Sequence, residues 1–141
     1  LKCTDALLRA AAATGWEVDV VEGETNAAVL ERKRSCVAVI DSGPGSVPDG
    51  YGVNSIEAMS LGLPAVAGAS VQVRETMGRL GSPVVLVSDE AELVEVLEML
   101  HSPDERDRIG EDGRAFVSRF HSGEDRVSED MAALARQRVA A

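Results

Sequence analysis

Hydrophobic residues occur along the chain in short runs that glycine and polar residues interrupt. The apolar positions between Leu7 and Ala12 follow helical spacing, and Gly15 behind them is a typical helix stop. The β-branched run from Val18 to Val21 predicts a short strand, and the stretch from Ala27 to Arg34 predicts a second helix. The chain therefore begins with a predicted helix, strand and helix.

Three apolar runs further along predict parallel strands. Val37 to Ile40 shows no polar alternation, as expected of a central strand that is covered on both faces. Pro64 to Ala67 and Pro83 to Val87 are the next predicted strands, and short helices are predicted from Asn54 to Leu61 and from Arg74 to Leu80. This repeated order predicts an α/β fold with a Rossmann-like, doubly wound parallel sheet.

Three capping patterns predict C-terminal helices in the last third, because a Ser or Asp before the first turn accepts its unpaired N–H groups. They are Asp89 before Glu92, Ser102 before Pro103 and Glu105, and Ser122 before Asp125. The predicted helices run from Ala91 to Leu100, Pro103 to Phe120 and Gly123 to Arg138. We expect this helical tail to pack on the sheet or on a neighbouring domain.

Composition narrows the class of protein and of partner. With 141 residues, 45% hydrophobic and 27% charged, the chain fits one globular domain over residues 1–141. Its net charge of -10 opposes the phosphate neutralisation that nucleic-acid binding needs, so no nucleic-acid partner is expected. A small anionic nucleotide stays compatible, because helix N-termini hold phosphate through backbone N–H groups.

Other residue types point to structural roles. Cys3 and Cys36 form no CxxC pair, which favours reduced thiols in a cytoplasmic protein. His101 and His121 fall at predicted helix ends and are interpreted as capping residues. The charged run from Glu31 to Arg34 is interpreted as a solvated helix face.

Several sequence signals are absent. The chain has no apolar run of about 18 residues, so no membrane span is expected. It has no HxH, HExxH or DxD pattern, so we expect no metal and no further cofactor. Because the sequence starts at Leu1 rather than Met, it leaves room for an upstream signal or a whole upstream domain.

The most informative stretch is DGYGVNSIEAMSLGLP, from Asp49 to Pro64, which begins within a predicted loop from Asp41 to Tyr51. Gly50 and Gly52 remove side chains before a helix and so let a bulky anion approach the backbone. The first amides of that helix would stabilise a diphosphate, because the helix dipole favours negative charge there. These amides belong to Val53, Asn54 and Ser55.

Two residues of this stretch have alternative interpretations. Glu57 lies one turn into the helix, where its carboxylate can accept hydrogen bonds from two sugar hydroxyl groups. Asn54 followed by Glu57 also makes a capping-box variant, which is the preferred interpretation on spacing alone. Tyr51 either packs on a sugar or attaches the loop to the rest of the protein.

This stretch resembles the signature of retaining glycosyltransferases of the GT-B fold, particularly glycosyltransferase family 4. That signature places an acidic residue, seven residues and a Glu around a GFG-like turn, followed by EAM-x-x-G-x-P. Asp49 and Glu57 occupy the two acidic positions, and Gly50-Tyr51-Gly52 forms the turn. Lys2 with the TDALL sequence after Cys3 is similar to the family's KG-x-D-x-L-L stretch, and the region 103–120 resembles its D-P-E-x-R tail.

The resemblance implies a donor site. It places Glu57 on the ribose of a nucleotide-diphosphate sugar, Asp49 on the donor sugar's hydroxyl groups, and the amides after Gly52 on the diphosphate. Lys2 would neutralise the diphosphate. The family's first strand and its N-terminal acceptor domain, which would precede Lys2, are not in the chain.

Three hypotheses for the function follow from these observations. The first hypothesis is the donor-binding domain of a retaining hexosyltransferase, inactive alone because donor and acceptor must be held together. The second is a non-catalytic nucleotide-sugar-binding or interaction module on the same scaffold, since a fold alone does not establish activity. An epimerase that shares the architecture is the third.

Overall fold

Three parallel strands form the centre of the fold in the computed structural model, which describes residues 2–46 and 50–121. The described helices are α1 (Lys2–Thr14), α2 (Asn26–Arg34), α3 (Val53–Ser60), α4 (Val71–Arg79), α5 (Glu90–Met99) and α6 (Pro103–Phe120). The described strands are β1 (Val39–Ile40), β2 (Ala65–Gly68) and β3 (Val85–Val87). None of these helices is long and apolar enough to cross a membrane.

The sheet has the order β1-β2-β3, with Val39 opposite Ala65 and Val66 opposite Val85. Successive residues of β2 point to opposite faces, so each face carries its own hydrophobic cluster. One cluster joins β2 and β3 to α1 and α5 and includes Ala10, Val66, Val87, Leu93 and Leu97. The other joins β2 to α3 and α6 and includes Ala58, Met59, Ala65, Ala67 and Phe116. This arrangement confirms the predicted Rossmann-like α/β class.

The strand β1 corrects the prediction that Val37 to Ile40 forms a central strand. Only Val39–Ile40 pairs, and among the described strands β1 lies at one edge of the sheet. Val37 is exposed, whereas all four residues of β2 are buried. A continuous β-branched run predicts a strand, but its position in the sheet depends on which neighbours pair with it.

The predicted strand from Val18 to Val21 is wrong, because this segment is neither strand nor helix. Val18, Asp19 and Val21 line a groove of about 720 Å³ together with β1, and no described strand pairs with this segment. Apolar side chains line much of this groove, among them Leu7, Ala11, Val18, Ala38, Ile40 and Leu97. Within the segment, Val20 is exposed and Asp19 accepts hydrogen bonds from Arg32 of α2.

The capping patterns predicted the helix starts correctly at Asp89 and Ser102. The Asp89 side chain accepts the Glu92 N–H at 2.8 Å, and the Ser102 hydroxyl accepts the Glu105 N–H at 3.4 Å. The helix α6 has the predicted bounds, with Pro103 at its start, where a missing N–H costs nothing. The pattern at Ser122 and the predicted helix 123–138 lie outside the described residues.

Glycine in α6 lets this helix pack closely against the turn after α3. A Cβ on Gly110 would lie 2.1 Å from the carbonyl oxygen of Gly62, and one on Gly113 would lie 3.0 Å from Met59. Backbone atoms cannot move aside as a flexible side chain can. The helix α6 therefore holds the far end of α3 through contacts that only glycine permits.

We expect Gly110→Ala to lower the free energy of unfolding by about 1–3 kcal/mol, because the added methyl group overpacks against Gly62. The control is Gly78→Ala in α4, where a Cβ would meet no atom within 4 Å. That change should be neutral or stabilise by up to about 1 kcal/mol through higher helix propensity. Urea unfolding monitored by circular dichroism measures both, and equal effects would contradict the close packing of α6.

Candidate functional site

The glycine turn before α3 lies at the carboxyl edge of the sheet. The Gly50 N–H donates to the carbonyl of Gly68, the last residue of β2, at 3.1 Å, and the Gly68 N–H donates to the carbonyl of Ser42, just beyond β1, at 3.0 Å. Gly50 has a φ of 104°, a backbone conformation that residues other than glycine rarely adopt. Ligands of open α/β sheets bind at this edge, so the turn lies where a ligand site is expected.

The carboxylate of Asp41 binds the start of α3. Asp41 directly follows β1, and its Oδ2 accepts the Gly52 N–H at 2.6 Å, the Ser55 N–H at 3.2 Å and the Ser55 hydroxyl at 2.8 Å. A Cβ on Gly52 would lie 3.3 Å from the same oxygen. The room that the glycine leaves therefore holds a carboxylate of the protein itself, which the sequence pattern did not indicate.

The first amides of α3 consequently divide into two groups. Ser55 is fully buried and its N–H is bound to Asp41, so a ligand reaches it only if Asp41 moves. Val53 and Asn54 are exposed, and their N–H groups have no acceptor among the described residues. An anion at this helix start would therefore contact the amides of Val53 and Asn54 first.

Glu57 forms an ion pair with a buried lysine. The Lys33 Nζ of α2 lies 2.5 Å from the Glu57 Oε2 and 2.9 Å from the Asn54 Oδ1. The Lys33 side chain is 9% exposed and the Glu57 side chain 21% exposed. Burial of such an ammonium requires partners of this kind, because an unpaired charge is costly away from water.

This ion pair corrects two predictions. The N-cap of α3 is Gly52 without a side-chain cap, and Glu57 is bound to Lys33, so the capping box of Asn54 and Glu57 is wrong. The run from Glu31 to Arg34 is not a wholly solvated face, because Lys33 is buried within it. Glu31 and Arg34 are exposed, as predicted, and pair with each other.

Tyr51 attaches the turn to α6. Its ring packs edge-on against Phe116, with centroids 6.4 Å apart, and its hydroxyl lies 3.4 Å from the Nε2 of His121. Burial raises the pKa of the Tyr51 phenol above its usual value. Of the two interpretations of Tyr51, the contacts show the attachment of the loop, while a role in sugar binding stays a prediction.

The remaining candidates have different outcomes. His121 is the C-cap of α6, whereas His101 stacks on Trp16 and bonds the Thr14 carbonyl through Nε2 at 2.8 Å. Asp49 lies outside the described residues, and so does the side chain of Lys2, although Lys2 begins α1. Within the described ranges, no group of three or more His, Cys, Asp or Glu residues could hold a metal ion.

A family model described as glycosyl transferase-like matches residues 8–133. The chain belongs to this family. Comparisons with curated proteins and with solved structures found no match. The matched range includes the glycine turn, Lys33, Asp41 and Glu57. The site therefore lies within a glycosyltransferase-like domain, whose general role is glycosyl transfer.

For this glycosyltransferase-like domain we expect Asp41→Ala to lower the free energy of unfolding by about 1–2 kcal/mol, as the loss of a helix N-cap does. The loss would leave the buried Ser55 hydroxyl and N–H without their acceptor. Asp112→Ala, which removes an exposed carboxylate near Arg108, is the control and should leave the unfolding midpoint unchanged. Urea unfolding of the two variants makes the comparison, and indistinguishable midpoints would argue against a capping role for Asp41.

Proposed function

We propose that this domain binds a nucleotide-diphosphate sugar and belongs to a retaining GT-B glycosyltransferase that transfers a hexosyl group to an acceptor. The proposal rests on one observation above all. The exposed amides of Val53 and Asn54 lie at the carboxyl edge of the sheet, one helical turn before the partly exposed carboxylate of Glu57. Membership of the glycosyltransferase-like family supports the same conclusion.

Each group would have a separate task. The amides of Val53 and Asn54 would bind the diphosphate, and the dipole of α3 would stabilise the charge that develops as the nucleotide leaves. Glu57 would accept hydrogen bonds from the ribose hydroxyl groups. Asp49 would contact the hydroxyl groups of the donor sugar, and Lys2 would neutralise the diphosphate, as the resemblance to family 4 implies.

Turnover would need more than this domain. A GT-B enzyme holds the acceptor on a second domain, and the rate advantage comes from holding both reactants together. We therefore expect the chain alone to bind the donor without transferring its sugar. The thiol of Cys36 is free, which favours a cytoplasmic location for the parent protein.

One observation favours the second candidate function, a binding or interaction module without catalysis. The carboxylate of Asp41 already occupies two N–H groups at the start of α3, where an anionic ligand would otherwise compete for them. Such an arrangement suits a scaffold that keeps the turn for stability. The interaction module differs from the donor-binding domain in that nucleoside diphosphates would not bind to it with measurable affinity.

Val53→Pro tests the amide directly. Val53 is the first residue of α3 and 69% exposed, and proline is tolerated at this helix position although it lacks the N–H. Loss of a hydrogen bond to a charged ligand costs about 1.5–3 kcal/mol, so the Kd for UDP, GDP or ADP should rise about 10- to 100-fold. Isothermal titration calorimetry measures this for whichever nucleotide binds best.

The matched control is Val71→Pro, since Val71 is the first residue of α4 and 65% exposed. It should leave the Kd unchanged. If the wild-type chain binds none of the nucleotides but Asp41→Ala does, the protein has closed an anion site with its own carboxylate. Absence of binding in both would favour an interaction module.

Glu57→Gln tests the ribose contact. The amide keeps the shape of the side chain but removes its charge, so we expect a Kd for the nucleoside diphosphate about tenfold higher. A 3′-deoxynucleoside diphosphate should lose much less affinity in this variant, because it lacks one of the hydroxyl donors. Glu95→Gln, at an exposed position of α5, is the control. Equal losses for both ligands would contradict a ribose contact.

A further inference from the structure

Lys33 differs from its neighbours in what its side chain contacts. The helix α2 carries Glu31, Arg32 and Arg34 near the surface, yet only 7% of Lys33 is exposed. Its ammonium group bonds two residues of α3 that are one turn apart, Asn54 and Glu57. One buried charge thus links α2 to the part of α3 on which the proposed donor site depends.

Stability alone is a weak reason for such a pair. Burying two charges costs about as much as their attraction returns, and apolar residues of similar volume often do as well or better. The helix α2 is polar on most of its surface, so a lysine there could point to solvent without loss. An inward lysine with two specific acceptors is therefore better explained by what it does to those acceptors.

The ion pair leaves part of each group available. Lys33 holds the Glu57 Oε2, while the Glu57 Oε1 has no hydrogen-bond partner among the described residues. An ammonium group has three donors, and the two acceptors in α3 use two of them. A free glutamate samples several rotamers, and holding one oxygen in place removes this freedom before a ligand arrives.

We propose that Lys33 is a positioning residue, which orients the Glu57 carboxylate toward the ribose hydroxyl groups of the donor. This role rests on the proposed function, because it assumes that Glu57 contacts the ribose. Lys33 acts through Glu57 and through the side chain of Asn54. The backbone N–H of Asn54 is one of the two amides that would bind the diphosphate. The helix α2 would in this way fix both ends of the nucleotide contact.

The test uses the ratio of two dissociation constants, one for a 3′-deoxynucleoside diphosphate and one for its ribo counterpart. Wild-type chain should prefer the ribo form by about tenfold or more. Lys33→Met keeps the apolar stem but removes the ammonium, and it should reduce the preference to threefold or less. Glu57→Gln should give the same low ratio, and the double variant should lower it no further.

The ratio cancels the general effect of losing a positive charge near an anionic ligand. Arg34→Met removes a neighbouring charge that contacts Glu31 rather than α3, and it should keep the wild-type ratio. If Lys33→Met does not fold by circular dichroism, Lys33→Gln replaces it. The amide nitrogen of glutamine lies one bond closer to the backbone than the ammonium nitrogen of lysine and carries no charge, so this variant should also lower the ratio at least threefold.

The outcomes separate the two proposals. A folded Lys33 variant with the wild-type ratio, beside a Glu57→Gln protein that has lost it, overturns the positioning role and leaves the proposed function intact. A Glu57→Gln protein that still prefers the ribo form refutes the ribose contact and the role of Lys33 together. A wild-type chain that does not prefer the ribo form also refutes both the ribose contact and the role of Lys33.

Discussion

The carboxylate of Asp41 connects the end of β1 to the start of α3 and fixes the glycine turn at the point where the helix begins. One oxygen accepts both backbone N–H groups and the Ser55 hydroxyl, so the strand, the turn and the helix are fixed by a single residue. The partial positive charge of the helix start favours this contact. It also favours any anionic ligand, so structural stability and ligand binding draw on the same few amides.

Local signals predicted a helix at each of the six described helices and a strand at each of the three described strands, although they did not predict that β1 lies at an edge of the described sheet. The capping residues Asp89 and Ser102 act on N–H groups three residues away, so their effect can be derived from the sequence alone. Strand pairing is different, because a strand exists only beside another strand. The run from Val18 to Val21 has suitable residues but no partner strand in the described part of the chain, where β1 likewise pairs on one side only.

Only part of the candidate site could be predicted, because its contacts also divide into short-range and long-range ones. The spacing between the glycines and Glu57 is short, so the resemblance to glycosyltransferases located the turn. Asp41 and Lys33 act across 11 and 24 residues, and neither belongs to a periodic pattern. The helix α2 has no apolar stripe from which its inward face could be derived. Only the fold shows that Lys33, rather than Arg32 or Arg34, meets Glu57.

Tyr51 is the single tyrosine of the chain, and it stands between the glycine turn and α6. Its ultraviolet absorbance changes on ionisation, and the phenol lies within reach of one histidine. The single tryptophan, Trp16, stacks on His101 after α5, away from this turn. The protein thus carries two natural optical probes in separate surroundings, so events at the turn can be followed spectroscopically without attaching a dye.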